Sequence, residues 1–324
     1  MKNPALLALG AASVIALAGC ASTTPAVDDG TVRVVTSTNV YGSIVEAIGG
    51  DLVSVTSLVT SAAQDPHSYE ASAQDQLAIS KAQLIVENGG GYDPFIDTLV
   101  EAASSKAAIV NASEASGLLE GDDHAHEEGE EHAEDEHAED EGHEGHDHIE
   151  GFNEHVWYSL HGIEHVSEEI AHELSELDPD NAAAYEENLA AFHGEIEKLE
   201  GAAEALHATT EGKGAAITEP VPLYLLEAVG LQNLTPEAFS EAIEEGTDVA
   251  PTTLRDTLEL VESGDVRLLA YNSQTASPET EQVRKAAEGA GIPVVEFTET
   301  LPDGADYVSW MTDNLEAISA AIGK

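Results

Sequence analysis

Apolar positions along the first third of the chain alternate between two rhythms. Short β-branched or aliphatic runs at 31–36 (TVRVVT), 51–59 (DLVSVTSLV), 83–87 (QLIVE) and 106–110 predict four strands. Between them the spacing turns helical. Tyr41, Ile44, Val45 and Ile48 share one face of a helix that starts near Val40, with Ser37-Thr38-Asn39 available as its cap and Gly49-Gly50 as its stop. A second helix is predicted over about 72–81, and a third from Asp93-Pro94, after the turn Asn88-Gly89-Gly90-Gly91. Strand and helix in strict alternation imply a parallel, doubly wound sheet, whose ligand sites gather beyond the carboxyl ends of its strands.

The same grammar returns later. A helix over 161–177 is closed by Asp178-Pro179-Asp180, and from 181 to about 208 Ala, Leu, Phe and Ile recur at helical spacing without a proline. Roughly 28 residues of helix span about 42 Å, more than one small domain requires, which makes this a rigid connector. Strands then follow at 214–218 (GAAIT), 266–271 (VRLLAY) and 293–297 (PVVEF), with helices at 223–229, 252–263, 277–290 and 306–322. The expected fold is α/β: two doubly wound lobes with parallel sheets, 31–178 and 209–324, joined by a long rigid helix at 179–208.

One stretch obeys neither rhythm. Residues 120–150 hold seven histidines (His124, His126, His132, His137, His143, His146, His148), sixteen carboxylates and no Lys or Arg. Such a run cannot bury enough surface to offset its ordering entropy, so it is expected to be a disordered loop. Imidazole and carboxylate also bind borderline and hard cations, which gives the loop the composition of a metal collector rather than of a plain acidic linker. The net charge of −52 extends well beyond it, since the loop holds only 16 of the 63 acidic residues. That balance argues against nucleic-acid binding and raises the local concentration of cations.

The chain begins with Lys2 and an apolar run over 5–18, too short for a stop-transfer helix, which reads as a signal peptide at 1–19. Leu17-Ala18-Gly19-Cys20 resembles the lipobox of bacterial lipoproteins. The resemblance implies cleavage before Cys20, lipidation of its sulfur, and a tether over 20–30 that leaves the protein anchored outside the cytoplasmic membrane. Cys20 is the only cysteine, which excludes an internal disulfide and any Cys-based zinc site.

Four polar residues fall where an α/β sheet places ligands: His67 after the second strand, His155 after the acidic loop, Glu219 after the first strand of the second lobe and Glu299 after the last. Pro66, Pro220 and Pro302 stiffen three of these loops. Two imidazoles and two carboxylates, drawn from both lobes, would close a dehydrated site around one divalent cation. Taken singly, a loop His or Glu is a surface residue. His161, His165, His172, His193 and His207, all on predicted helices, are expected to face solvent.

The surrounding words carry more. Gln64-Asp65-Pro66-His67-Ser68-Tyr69-Glu70 resembles the D-P-H-x-Y-E motif of solute-binding proteins from zinc and manganese ABC transporters. Glu154-His155-Val156-Trp157 is similar to that family's second motif, Asn88-Gly89-Gly90-Gly91-Tyr92-Asp93 to its N-G-x-G turn, and Phe297-Thr298-Glu299-Thr300 to the segment that supplies its last carboxylate. The resemblance runs from about Val32 to Lys324. It implies a monomeric metal-capturing lipoprotein serving an ABC importer permease, with His67, His155, Glu219 and Glu299 as ligands. Zinc members of the family carry a His- and acid-rich loop between the first two motifs, as here. Many of them place His at the third ligand, whereas manganese members commonly place Glu there. The histidine-rich loop points to Zn2+, with Mn2+ as the alternative.

Two other functions compete. A secreted metallohydrolase needs an open coordination position and a general base. No H-E-x-x-H occurs, and His143-Glu144-Gly145-His146 has the wrong spacing. An extracellular metal buffer or adhesin would use the loop itself, and would lose binding with it.

Overall fold

A computed structural model of the protein describes residues 30–64, 66–120, 149 and 151–323. The expectations for the signal peptide, for Cys20 and for the seven histidines of the acidic run fall outside the described residues, as does Asp65. Thr31–Lys324 form one compact unit. Among the described residues, no helix is long and apolar enough to cross a membrane.

The first half runs β1 (Val32–Thr38), α1 (Asn39–Gly49), β2 (Val53–Val59), α2 (Ala73–Ile79), β3 (Leu84–Glu87), α3 (Phe95–Ala103), β4 (Ala108–Asn111) and α4 (Ala112–Ala115). Two long helices follow, α5 (Leu160–Leu177) and α6 (Ala182–Thr210). The second half is β5 (Lys213–Ile217), α7 (Leu223–Ala228), β6 (Leu231–Asn233), α8 (Glu237–Glu244), α9 (Pro251–Glu262), β7 (Val266–Asn272), α10 (Pro278–Ala290), β8 (Val294–Phe297) and α11 (Tyr307–Ile322). Each half builds a four-stranded parallel sheet with the same winding, β2-β1-β3-β4 and β6-β5-β7-β8. The chain reverses its direction of travel between β1 and β3, and again between β5 and β7. Those switch points open crevices at the carboxyl ends of the strands.

Strand alternation decides which layer each side chain joins. Val34, Leu84, Val86, Ala215, Ile217, Leu268 and Ala270 point to a central layer formed with α1, α5, α6, α7 and α11. Their neighbours point the other way. Val35 and Ile85 pack beneath α2 and α3, while Ala216 and Leu269 pack beneath α8, α9 and α10. The central layer is continuous across both halves, so the lobes share a core instead of meeting at a hinge. Helix α6 is the reason: Tyr185, Phe192, Ile196, Leu199 and Ala203 form a buried stripe at helical spacing along its 29 residues.

Two local outcomes differ from the sequence reading. Thr38 occupies the cap position of α1 but makes no side-chain cap bond. The Asn39 side chain is drawn instead to the opposite lobe, where Oδ1 accepts from Leu301 N (2.9 Å) and Nδ2 donates to the Leu301 carbonyl (3.2 Å). The sequence reading also assigned nothing to 231–251, where the structure has β6 and α8. Both are short, and α8 buries only Phe239, Ser240 and Ile243, too few positions for a clear period.

Glu87, at the buried end of β3, accepts from Asn111 Nδ2 at 3.0 Å. Burial pushes its carboxyl up to about 7, helped by Asp93 and Asp97 and opposed by the Asn111 bond. A carboxyl raised in the folded state favours folding while it is protonated, so its contribution is full below the unfolded value and declines as pH rises through about 7. Glu87→Gln, which keeps the acceptor oxygen, should match the parent near pH 4 in urea unfolding and exceed it at pH 8 by on the order of 2–3 kcal/mol. A loss at both pH values would contradict this account.

Candidate metal centre

The loop after β2 carries His67 behind the buried Pro66. The His67 ring stands edge-on to Tyr92, with centroids 4.7 Å apart. Tyr92 is fully buried and is delivered by the turn that follows β3. That turn needs glycine: Gly89 has φ +70°, and a Cβ there would lie 2.2 Å from Asn111 Nδ2. The Asp93 carboxylate ties the turn down by accepting from the backbone N–H groups of Asn88 (2.7 Å) and Gly89 (2.8 Å). Burial pushes Asp93 up to about 6 against the pull of those bonds.

The segment 153–158 re-enters the fold beside this turn. Asn88 Nδ2 donates to the Glu154 carbonyl at 3.0 Å, and Tyr41 OH donates to Asn88 Oδ1. His155, 1% exposed, packs edge-on against Trp157 (5.2 Å) and Tyr92 (5.8 Å). Its orientation is fixed by Asn153. The Asn153 Nδ2 donates to the Pro220 carbonyl (3.2 Å), so Oδ1 faces His155 and lies 2.7 Å from its Nδ1. An amide oxygen accepts only, so Nδ1 carries the proton and Nε2 keeps the lone pair a metal requires.

The second lobe contributes carboxylates from beyond its strand ends. Asn272, the last residue of β7, donates from Nδ2 to both Glu219 Oε2 (2.6 Å) and Glu299 Oε1 (2.7 Å). Glu219 Oε2 also accepts from Thr275 Oγ1 (2.5 Å), and Glu299 Oε2 from Tyr92 OH (3.1 Å). The Tyr92 bond crosses the cleft between the lobes. His67 Nε2 is 3.7 Å from Glu299 Oε2. Donor atoms of His67, His155 and Glu299 all lie within 4.8 Å of one another. Glu219 stands just outside this triad, clipped to it through Asn272.

Hydrogen bonds around the cleft hold its walls together: Tyr158 OH to the Thr298 carbonyl (2.8 Å), Tyr307 OH to the Trp157 carbonyl (2.7 Å) and Tyr224 OH to the Asn153 carbonyl (2.8 Å). The cleft is also rich in carboxyl groups. Glu154, Glu219 and Glu299 are buried, Glu244 is nearly so, and among the described residues no Lys or Arg is buried. Burial, together with Glu154, Glu219 and Glu299, raises the Glu244 carboxyl to about 9.

Of the four residues singled out in the sequence, the structure brings His67, His155 and Glu299 together and places Glu219 beside them through Asn272. Tyr92, Glu154, Asn272 and Glu244 complete the site without having been singled out. Asn272 had a signal, its place at a strand's carboxyl end, but Glu244 belongs to the unassigned helix. The helical histidines keep to the surface: His161, His165, His172 and His207 are exposed, and His193 is half-buried on Ser167 Oγ (2.9 Å).

A family model described as the periplasmic component A of the zinc-uptake complex matches residues 34–321. The chain belongs to that family. Among its relatives is the manganese ABC transporter substrate-binding lipoprotein scaA of Streptococcus gordonii, 28% identical over the full length of both chains. The iron ABC transporter substrate-binding lipoprotein MtsA of Streptococcus pyogenes serotype M1 is also 28% identical, over 98% of each chain. In three dimensions the chain resembles the periplasmic zinc-binding protein TroA of Treponema pallidum, with a TM-score of 0.70 over 90% of this chain and 99% of that one. At 17% identity the TroA likeness shows the fold, two parallel sheets with a long connecting helix.

Asn272 is the clip that holds two buried carboxylates close together. Asn272→Ala should destabilise the metal-free protein by about 2 kcal/mol, because both carboxylates lose a donor. Urea unfolding in the presence of a chelator measures this, and an unchanged midpoint would show that the clip contributes nothing.

Proposed function

We propose that this protein captures a divalent metal outside the cytoplasmic membrane and delivers it to an ABC importer. Support comes above all from the convergence of His67, His155 and Glu299 donor atoms within 4.8 Å in a buried cleft between the lobes. Glu219 completes the set as the fourth ligand. His155 enters through Nε2, held in that tautomer by Asn153. The concentration of buried carboxyl groups suits a cation.

Zinc is the proposed cargo. Two imidazoles and two carboxylates satisfy its tetrahedral preference, and the seven histidines of 120–150 suit a borderline ion better than an oxygen-loving one. Manganese is the second reading. It is favoured by the carboxylate at Glu219 and by relatives whose names record manganese or iron. The protein acts as a monomeric binding protein, held at the membrane through lipidated Cys20. The run 120–150, which precedes His155 in the chain, collects ions for the site. Capture without catalysis is the reading that the substrate-binding names of the relatives support.

The shared core leaves little room for a hinge. Metal release therefore falls to the permease, which must displace ligands of one lobe. Calorimetry should find one tight site in a chain lacking 120–150, and His67→Ala in the intact chain should weaken it by at least about a hundredfold. Loss of all tight binding on removing 120–150 would overturn the proposal in favour of a loop-based metal buffer. Mass spectrometry of protein purified from rich medium should find zinc, and manganese in its place would select the second reading.

A further inference from the structure

We propose that Glu244, acting with Glu154, is a further metal-binding carboxylate that governs how well the site accepts oxygen-preferring divalent cations such as Mn2+. The proposal rests on the metal-capture reading and deepens it.

Glu244 is the last residue of α8. Phe239 and Ile243 anchor that helix in the outer core layer of the second sheet. The Glu244 carboxylate lies 3.8 Å from His155 Nδ1, with its side chain 13% exposed. Its Oε1 is buried and takes no hydrogen bond among the described residues. Donor atoms of His67, Glu154 and Glu244 lie within 4.8 Å of one another. Two three-donor sets therefore adjoin: His67 with His155 and Glu299, and His67 with Glu154 and Glu244.

A tetrahedral zinc ion needs only four donors, which His67, His155, Glu219 and Glu299 already provide. Manganese prefers more ligands, and oxygens. Two extra carboxylates reaching the same imidazole supply them. A carboxylate kept for structure alone is expected to meet a donor, whereas Glu244 Oε1 is buried and takes no hydrogen bond among the described residues. The described lysines and arginines are exposed or half-buried, and the ion pairs of Lys198, Arg255, Arg284 and Lys285 are all on helix surfaces.

The test compares the full chain with Glu244→Gln, which keeps size and burial, and with Glu244→Asp, which keeps charge but shortens the reach. Zn2+ and Mn2+ dissociation constants are measured for each by competition against a fluorescent chelator at pH 7.5. Glu244→Gln should weaken Mn2+ by about tenfold or more while changing Zn2+ by less than about threefold, so the ratio of the two affinities shifts. Glu244→Asp should fall between the parent and the Gln variant. A parent that binds both ions tightly, with the same affinity ratio in both variants, would overturn the role of Glu244 and leave metal capture standing. A parent that binds neither ion tightly would overturn metal capture itself. Melting of each variant in chelator separates a folding defect from a lost ligand, and Glu244→Asp carries the comparison if the Gln variant does not fold.

Discussion

A concentration of carboxyl groups in a buried cleft is the constraint around which this molecule is arranged. Glu154, Glu219 and Glu299 are buried between two sheets, with Glu244 beside them, and no described lysine or arginine is buried to offset them. Carboxylates gathered in a protein interior are costly and repel one another. The fold meets that cost with directed donors. Asn272 bridges Glu219 and Glu299, Thr275 supports one and Tyr92 the other. A site so rich in carboxyl groups suits a cation, and that is the physical basis of the proposed function.

Meeting it requires walls that do not drift. The central core layer runs through both lobes, α6 buries side chains along its length, and hydrogen bonds from Tyr158, Tyr224 and Tyr307 cross the cleft. Asn39 adds a two-point link to Leu301. Preorganisation of this kind favours tight, selective binding, since few degrees of freedom are lost when the ion enters. It also removes the easiest route for release, which places the burden of unloading on the partner that receives the metal.

Much of this was legible from residue patterns. Short β-branched and aliphatic runs located seven of the eight strands, and the 3.6-residue period located α6 nearly to its ends. The rule that ligands lie beyond strand carboxyl ends picked out His67, Glu219 and Glu299. It failed for Glu244, which sits at the end of a helix whose eight residues bury three positions. Asn153 was hidden for another reason. It acts by orienting a neighbour, and an orienting amide has no sequence signature apart from the contact it makes. The His-rich run was conspicuous because it is repetitive, and it lies outside the described residues.

The central claim is that folded loops from both lobes, and not the run at 120–150, hold the metal. Crystals of the metal-loaded full chain, measured with anomalous scattering at the zinc edge, test it most directly. The account predicts one dominant peak bonded to His67 Nε2, His155 Nε2, Glu219 and Glu299. A dominant peak bonded only to histidines of 120–150, with no density in the cleft, would contradict it.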